Sequence, residues 1–173
     1  MEKIKSAITV VCDAGPAIHL DELGCLDLLK DFHEVLFPHT VWEEINRYRP
    51  SALKNADLPF VQLPGETPSN EPLLTLCKIF SLDAGEIEAL ALMEQRPQAM
   101  FLTDDAAARL VAIQMGFNVH GTIGILIRSI RQGWKSPNEV LDILKIIPYK
   151  TTLYIRHSLL QEIQLKIKSE FNL

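Results

Sequence analysis

The run Ile8-Thr9-Val10-Val11-Cys12 is apolar and rich in β-branched residues, and it stops abruptly at Asp13-Ala14-Gly15-Pro16. An unbroken apolar stretch of this kind marks a strand covered on both faces, because a strand with one wet face alternates apolar and polar residues. Two further runs share the pattern: Glu34-Val35-Leu36-Phe37, closed by Pro38, and Ala99-Met100-Phe101-Leu102-Thr103, closed by Asp104-Asp105. Phe117-Asn118-Val119 reads as a fourth short strand and Phe60-Val61-Gln62-Leu63 as a minor edge strand. Helical patterns fill the intervals, so the chain is expected to build a layered α/β domain on a mainly parallel sheet.

Leucines between 20 and 29 predict a helix, or two broken at Gly24. Further helices are predicted over 41–48, 73–80, 83–95 with Asp83 or Ser81 as cap, and 106–115 with Gly116 as the stop. Thr122 is the expected N-cap of a helix reaching about residue 131. Ser136-Pro137-Asn138-Glu139 has the form of a capping box opening a helix over 137–146, and a last helix is predicted over 157–169. Five prolines between 50 and 72 mark a surface excursion, since neither side of it is long enough to complete a core alone.

With 173 residues and 47% hydrophobic content the chain suits one globular domain. Its 22 acidic residues outnumber 17 basic ones, for a formal net charge of −5, which argues against binding nucleic acid through bulk positive charge. Cys12, Cys25 and Cys77 fit neither a disulfide framework nor a Cys-x-x-Cys metal pair, and the apolar run before Asp13 is too short for a secretory leader. No apolar stretch approaches the length of a membrane span. The expected setting is a reducing cytoplasm without membrane attachment.

In open parallel sheets, ligands bind beyond the carboxyl ends of the strands. Asp13 lies at one such end and Asp104 and Asp105 at another, while Glu44 and Glu86 stand on helices near such ends. Taken singly, each has a second use: Asp13 as a helix cap, Asp83 or Glu86 as favourable charge at a helix start, and Glu43, Glu44 and Glu88 as solvated helix residues. Taken together they offer one cleft a set of carboxylates, which repel one another unless a cation compensates. Magnesium or manganese suits oxygen donors and can activate water against a phosphodiester. Thr103 is a candidate contact for such a water or for the phosphate, although a Thr ending a strand serves equally in a turn. Arg47, Arg49, Lys54, Arg128 and Arg131 are weaker candidates for a nucleic-acid backbone. Walker and Gly-x-Gly-x-x-Gly sequences are missing, and the five histidines lack the helical spacing of a zinc pair.

These segments resemble the PIN-domain family, in a subgroup of small PIN-like proteins predicted to bind nucleic acid. The resemblance rests on Val10-Val11-Cys12-Asp13-Ala14-Gly15-Pro16 and on Pro38-His39-Thr40-Val41-Trp42-Glu43-Glu44-Ile45. It continues in Asp83-Ala84-Gly85-Glu86, in Leu102-Thr103-Asp104-Asp105 with Arg109, and in Gly121-Thr122-Ile123-Gly124. It covers roughly residues 8–132 and departs at Ala106, where a basic residue is common.

The resemblance implies a three-layer α/β/α fold with sheet order 3-2-1-4-5. It implies catalytic and metal-binding roles for Asp13, Glu44, Glu86 and Asp104, with Asp105 as a ligand of second rank, Mg2+ or Mn2+ as cofactor, and Arg109 near the RNA substrate. Many relatives are toxins paired with a small antitoxin and assemble as homodimers. The expected organisation is a PIN-like nuclease domain over 1–135 and a helical extension over 136–173. The apolar stripe of that extension, Leu159, Leu160, Ile163, Ile167 and Phe171, packs on the same domain or on a dimer partner. The expected function is a metal-dependent endoribonuclease, and the competing one is a non-catalytic module that binds RNA or protein.

Overall fold

The computed structural model describes residues 7–173; the reading of residues 1–6 as lacking a secretory leader lies outside the described residues. Five strands, β1 (Thr9–Cys12), β2 (Glu34–Pro38), β3 (Phe60–Leu63), β4 (Met100–Leu102) and β5 (Asn118–His120), form one parallel sheet in the order 3-2-1-4-5. The strand β1 is central, and its Val10, Val11 and Cys12 are fully buried on both faces, as the apolar run requires. Because side chains alternate across a strand, Val10, Cys12, Val35, Phe37, Met100 and Leu102 enter one hydrophobic layer while Val11, Leu36 and Phe101 enter the other.

The first layer is closed by α1 (Ala14–Glu22), α2 (His39–Tyr48), α6 (Thr122–Arg131), α7 (Pro137–Lys150) and α8 (His157–Phe171), and the second by α3 (Glu71–Ile79), α4 (Ala84–Gln95) and α5 (Ala106–Gln114). The result is the expected three-layer α/β/α sandwich. Helix ends follow the local chemistry: Asp13, Asn70, Asp83, Asp105 and Ser136 each accept a backbone N–H at the start of α1, α3, α4, α5 and α7.

Three local expectations change. The first helix begins at Ala14, directly after Asp13, and the leucines beyond Gly24 form a 3-10 turn over Leu26–Asp31. Gly121, not Thr122, is the N-cap of α6, because the Thr122 side chain is drawn to Asp104. The α7 helix runs past Pro148 to Lys150, with the proline in its last turn. Of the α8 stripe, expected to pack on the same domain or on a dimer partner, Leu160 and Ile167 are buried in the first layer and Ile163 and Phe171 pack against it, while Leu159 is exposed. Burying such side chains is a main source of folding free energy. Leu160→Ala should therefore cost about 2–4 kcal/mol in urea unfolding, independent of protein concentration; a loss that vanishes on dilution would place this stripe at a contact between chains.

Candidate active site

The sheet ladder continues one residue past β1 and β4: the Asp13 N–H donates to Leu102 O at 2.9 Å and the Thr103 N–H to His120 O at 2.9 Å. Asp13 and Thr103 are thereby fixed side by side at the carboxyl edge of the sheet. Thr103 is fully buried, and its hydroxyl donates to Asp13 Oδ2 at 3.0 Å while accepting the Asp105 N–H at 3.1 Å. Its hydroxyl therefore orients Asp13 and turns the chain into α5, and it is closed off from any substrate. The other Asp13 oxygen accepts the Ala14 N–H at 2.8 Å.

Around Asp13 the structure gathers Glu44 from α2, Asp83 and Glu86 from the start of α4, and Asp105 from the start of α5. Burial raises Asp13 from 3.8 to about 7, an effect reduced by its hydrogen bonds with Ala14 and Thr103 and increased by the charges of Asp83 and Glu44. Burial likewise raises Glu86 from 4.5 to about 8, with Asp83, Asp105 and Asp13 adding repulsion. Glu44 is pushed up by burial and by Asp83, with Arg47 offsetting part of the effect. Asp83 thus bears on three other acids, although its sequence reading is only that of a helix cap. The overlooked signal was its position three residues before Glu86, which puts both carboxylates at one helix start, where they form a reciprocal capping box.

Asp104 is set apart from this group. Its Oδ1 accepts the Thr122 N–H at 2.8 Å, and its Oδ2 lies 2.6 Å from the Thr122 hydroxyl and 2.7 Å from His19 Nδ1. A Cβ on Gly121 would sit 2.5 Å from Asp104 Oδ1, so the backbone can approach this carboxylate only with glycine there. The Gly121-Thr122 pair and the buried His19 together make Asp104 a brace between β4, α1 and α6. His19 was overlooked because it reads as one of five scattered histidines; its signal was a polar residue on the buried side of α1.

Glu88 is a second brace. Its carboxylate accepts the Thr40 N–H at 2.9 Å and the Thr40 hydroxyl at 2.7 Å, tying α4 to the start of the helix that carries Glu44. Arg109 donates to Thr103 O at 2.9 Å. Arg128 is bound to Asp31 at 2.5 Å and lies over the Phe32 ring, so its charge is committed inside the fold.

The donor set is chemically suited to a hard divalent cation: every group is a carboxylate, and the charges of Asp13, Glu44 and Glu86 are held at a cost that a cation would relieve. Among the described residues no three such groups converge on one point. Asp13, Asp83 and Asp105 each commit an oxygen to a helix start, whereas Glu44 accepts no hydrogen bond among the described residues and faces an open cleft of about 540 Å³.

A family model described as a PIN domain matches residues 9–169. The chain belongs to the PIN-domain family. Such domains are commonly nucleases, and those nucleases generally use divalent metals. The match runs through α7 and α8, beyond the 8–132 span of the motif resemblance, so the terminal helices belong to the family pattern of this PIN domain. No curated protein matches the chain at a significant level. Among the described residues no helix is long and apolar enough to cross a membrane.

The raised proton affinities have a thermodynamic sign. Asp13 and Glu86 hold protons in the fold that the unfolded chain releases, so their contribution to stability is full below about pH 4 and is lost as pH rises through about 7 and 8. Glu86→Gln keeps a capping acceptor for the Asp83 N–H while removing the charge. In chelator, its melting temperature relative to wild type is expected to climb between pH 5 and pH 8.5; a difference that stays level or falls would show that Glu86 is not held in a crowded anionic site.

Proposed function

We propose that this PIN domain is a divalent-metal-dependent endoribonuclease. The observation that carries the reading is the group formed by Asp13, Glu44, Asp83, Glu86 and Asp105 at the carboxyl edge of the sheet, electrostatically coupled, with Arg47 offsetting only part of the effect at Glu44. Asp13, Glu86 and Asp105 are the residues that would hold Mg2+ or Mn2+, with Asp104 bracing the strand end beside them. The bound ion would supply positive charge for the phosphodiester and lower the pKa of water.

Within the chain, Glu44 has the free oxygens and raised proton affinity suited to taking a proton from the attacking water. The water oxygen bonds to phosphorus, the bond from phosphorus to the leaving ribose oxygen breaks, and that oxygen takes a proton from solvent. The products are a phosphomonoester and a free hydroxyl. Thr103 and the Ala14 amide hold Asp13 in one orientation throughout. A reducing cytoplasm is the proposed setting, supported by three buried, unpaired cysteines. A small antitoxin protein and a second copy of the chain stay in the proposal as partners implied by the family resemblance alone.

A second reading, a binding module without catalysis, is favoured by one observation: among the described residues no three of the acids converge on a single point. Cleavage of single-stranded RNA in Mn2+ separates the two. The nuclease reading expects activity abolished by chelator and reduced about 100-fold or more in Asp13→Asn and Glu44→Gln. Equal cleavage in wild type and both variants would remove the assignment, and metal binding without cleavage would favour the module.

A further inference from the structure

We propose that the hollow beside β5, between α6 and the chain leading into α8, is a binding site for a free mononucleotide, separate from the cleft that Glu44 faces. The strand β5 is the last of the sheet, so one of its sides has no strand next to it. Two cavities of about 320 Å³ each lie there and share His120 and Gly124. Each is at the small end of the range for pockets that take a small molecule. A Cβ on Gly124 would come within 3.3 Å of His120 Nδ1, so glycine keeps the space beside the ring open.

The walls gather cations with little to neutralise them. Arg109 from α5 and His120 line one cavity, and His120, Arg128 and Arg131 line the other. The one acid among these lining residues is Asp104, whose oxygens are already taken by Thr122 and His19. Arg128 is bound to Asp31, but Arg109 donates to a carbonyl oxygen, which carries no full charge, and Arg131 forms no ion pair among the described residues. Burial, and then the charges of Arg109 and Arg128, push His120 below its ordinary value, so the field at this ring is positive in a chain of net charge −5. A phosphate monoester, with a charge of about −1.5 to −2 at neutral pH, suits that field.

The remaining wall is apolar. Tyr154 comes from the connection between α7 and α8, as do Leu153 and Ile155, and Leu159 and Ile163 come from α8. The Thr152 N–H donates to Glu22 at 3.0 Å and ties this connection to α1. Tyr154 itself is 88% exposed and belongs to neither hydrophobic layer. Its ring offers a face on which a flat base can stack, whatever the base. Cations on one side and a ring on the other match the phosphate and the base of a nucleotide. Inorganic phosphate would leave the apolar wall unused, and a nucleoside would leave the cations without a counter-charge.

The test is calorimetric titration of the full chain with adenosine monophosphate in chelator, which keeps metal out of the acidic cleft. The nucleotide should bind about tenfold or more tightly than inorganic phosphate, which lacks the base, and than adenosine, which lacks the charge. Tyr154→Ala should weaken the nucleotide about tenfold and leave inorganic phosphate unchanged, whereas Tyr154→Phe should bind as wild type does. Arg131→Ala should weaken both. Arg109 stays intact in these variants because it also holds Thr103. Circular dichroism confirms that each variant is folded.

No binding at millimolar nucleotide, or equal affinity in wild type, Tyr154→Ala and Arg131→Ala, would overturn the site. Binding lost in Asp13→Asn would also overturn it, by placing the nucleotide in the acidic cleft. An RNA strand with a phosphate at its 5′ end that competes at lower concentration than the free nucleotide would overturn the assignment to a mononucleotide and give the pocket to an RNA end. The nuclease reading is decided apart from these outcomes, by cleavage in Mn2+.

Discussion

A carboxylate at the end of a parallel strand meets the first amides of the helix that follows, and this contact organises the molecule. Asp13 caps α1 and Asp105 caps α5, each with an oxygen on a backbone N–H. Asp83 does the same for α4 without a strand before it. Helix starts attract negative charge, so each acid is favourable where it stands. The sheet order then brings these starts to one edge, and groups that are locally favourable become mutually repulsive. Burial raises Asp13 to about 7 and Glu86 to about 8, and that repulsion adds to it.

The surroundings are arranged to sustain the crowding. Thr103 is buried between Asp13 and the Asp105 amide, and Glu88 ties the start of α2 to α4, so neither wall can relax outward without losing hydrogen bonds. Asp104 has the opposite fate: surrounded by Thr122 and His19, it is satisfied within the chain. Adjacent aspartates thus divide the work, one locking the strand end and the other facing the remaining acids. The net charge of −5 takes on a local meaning, since Asp13, Glu44, Asp83, Glu86 and Asp105 gather at one edge of the sheet, where Arg47 offsets part of the effect at Glu44.

The fold was legible because its signals are periodic or local. Unbroken apolar runs marked strands buried on both faces, and the capping box at Ser136 marked the start of α7. The sheet order came from the motif resemblance, and the structure has that order. The limits of α7 were less legible because Pro148 reads as a stop, yet a proline in a last turn forfeits only one hydrogen bond where the ladder is already ending.

Within the site, the placement of acids at strand ends could be read, but their hydrogen bonding could not. Asp104 and Asp105 are neighbours in sequence and diverge in space, one toward α6 and the other toward the start of α5. The parts played by His19, Glu88 and Asp83 depend on contacts across the fold, which no local spacing encodes. The central claim is that a divalent cation resolves the conflict among these carboxylates. Calorimetric titration of Mn2+ at pH 7 in two buffers of different ionisation enthalpy tests it directly: binding should release about one proton per ion as Asp13 and Glu86 ionise, whereas binding without proton release, or none at all, would contradict it.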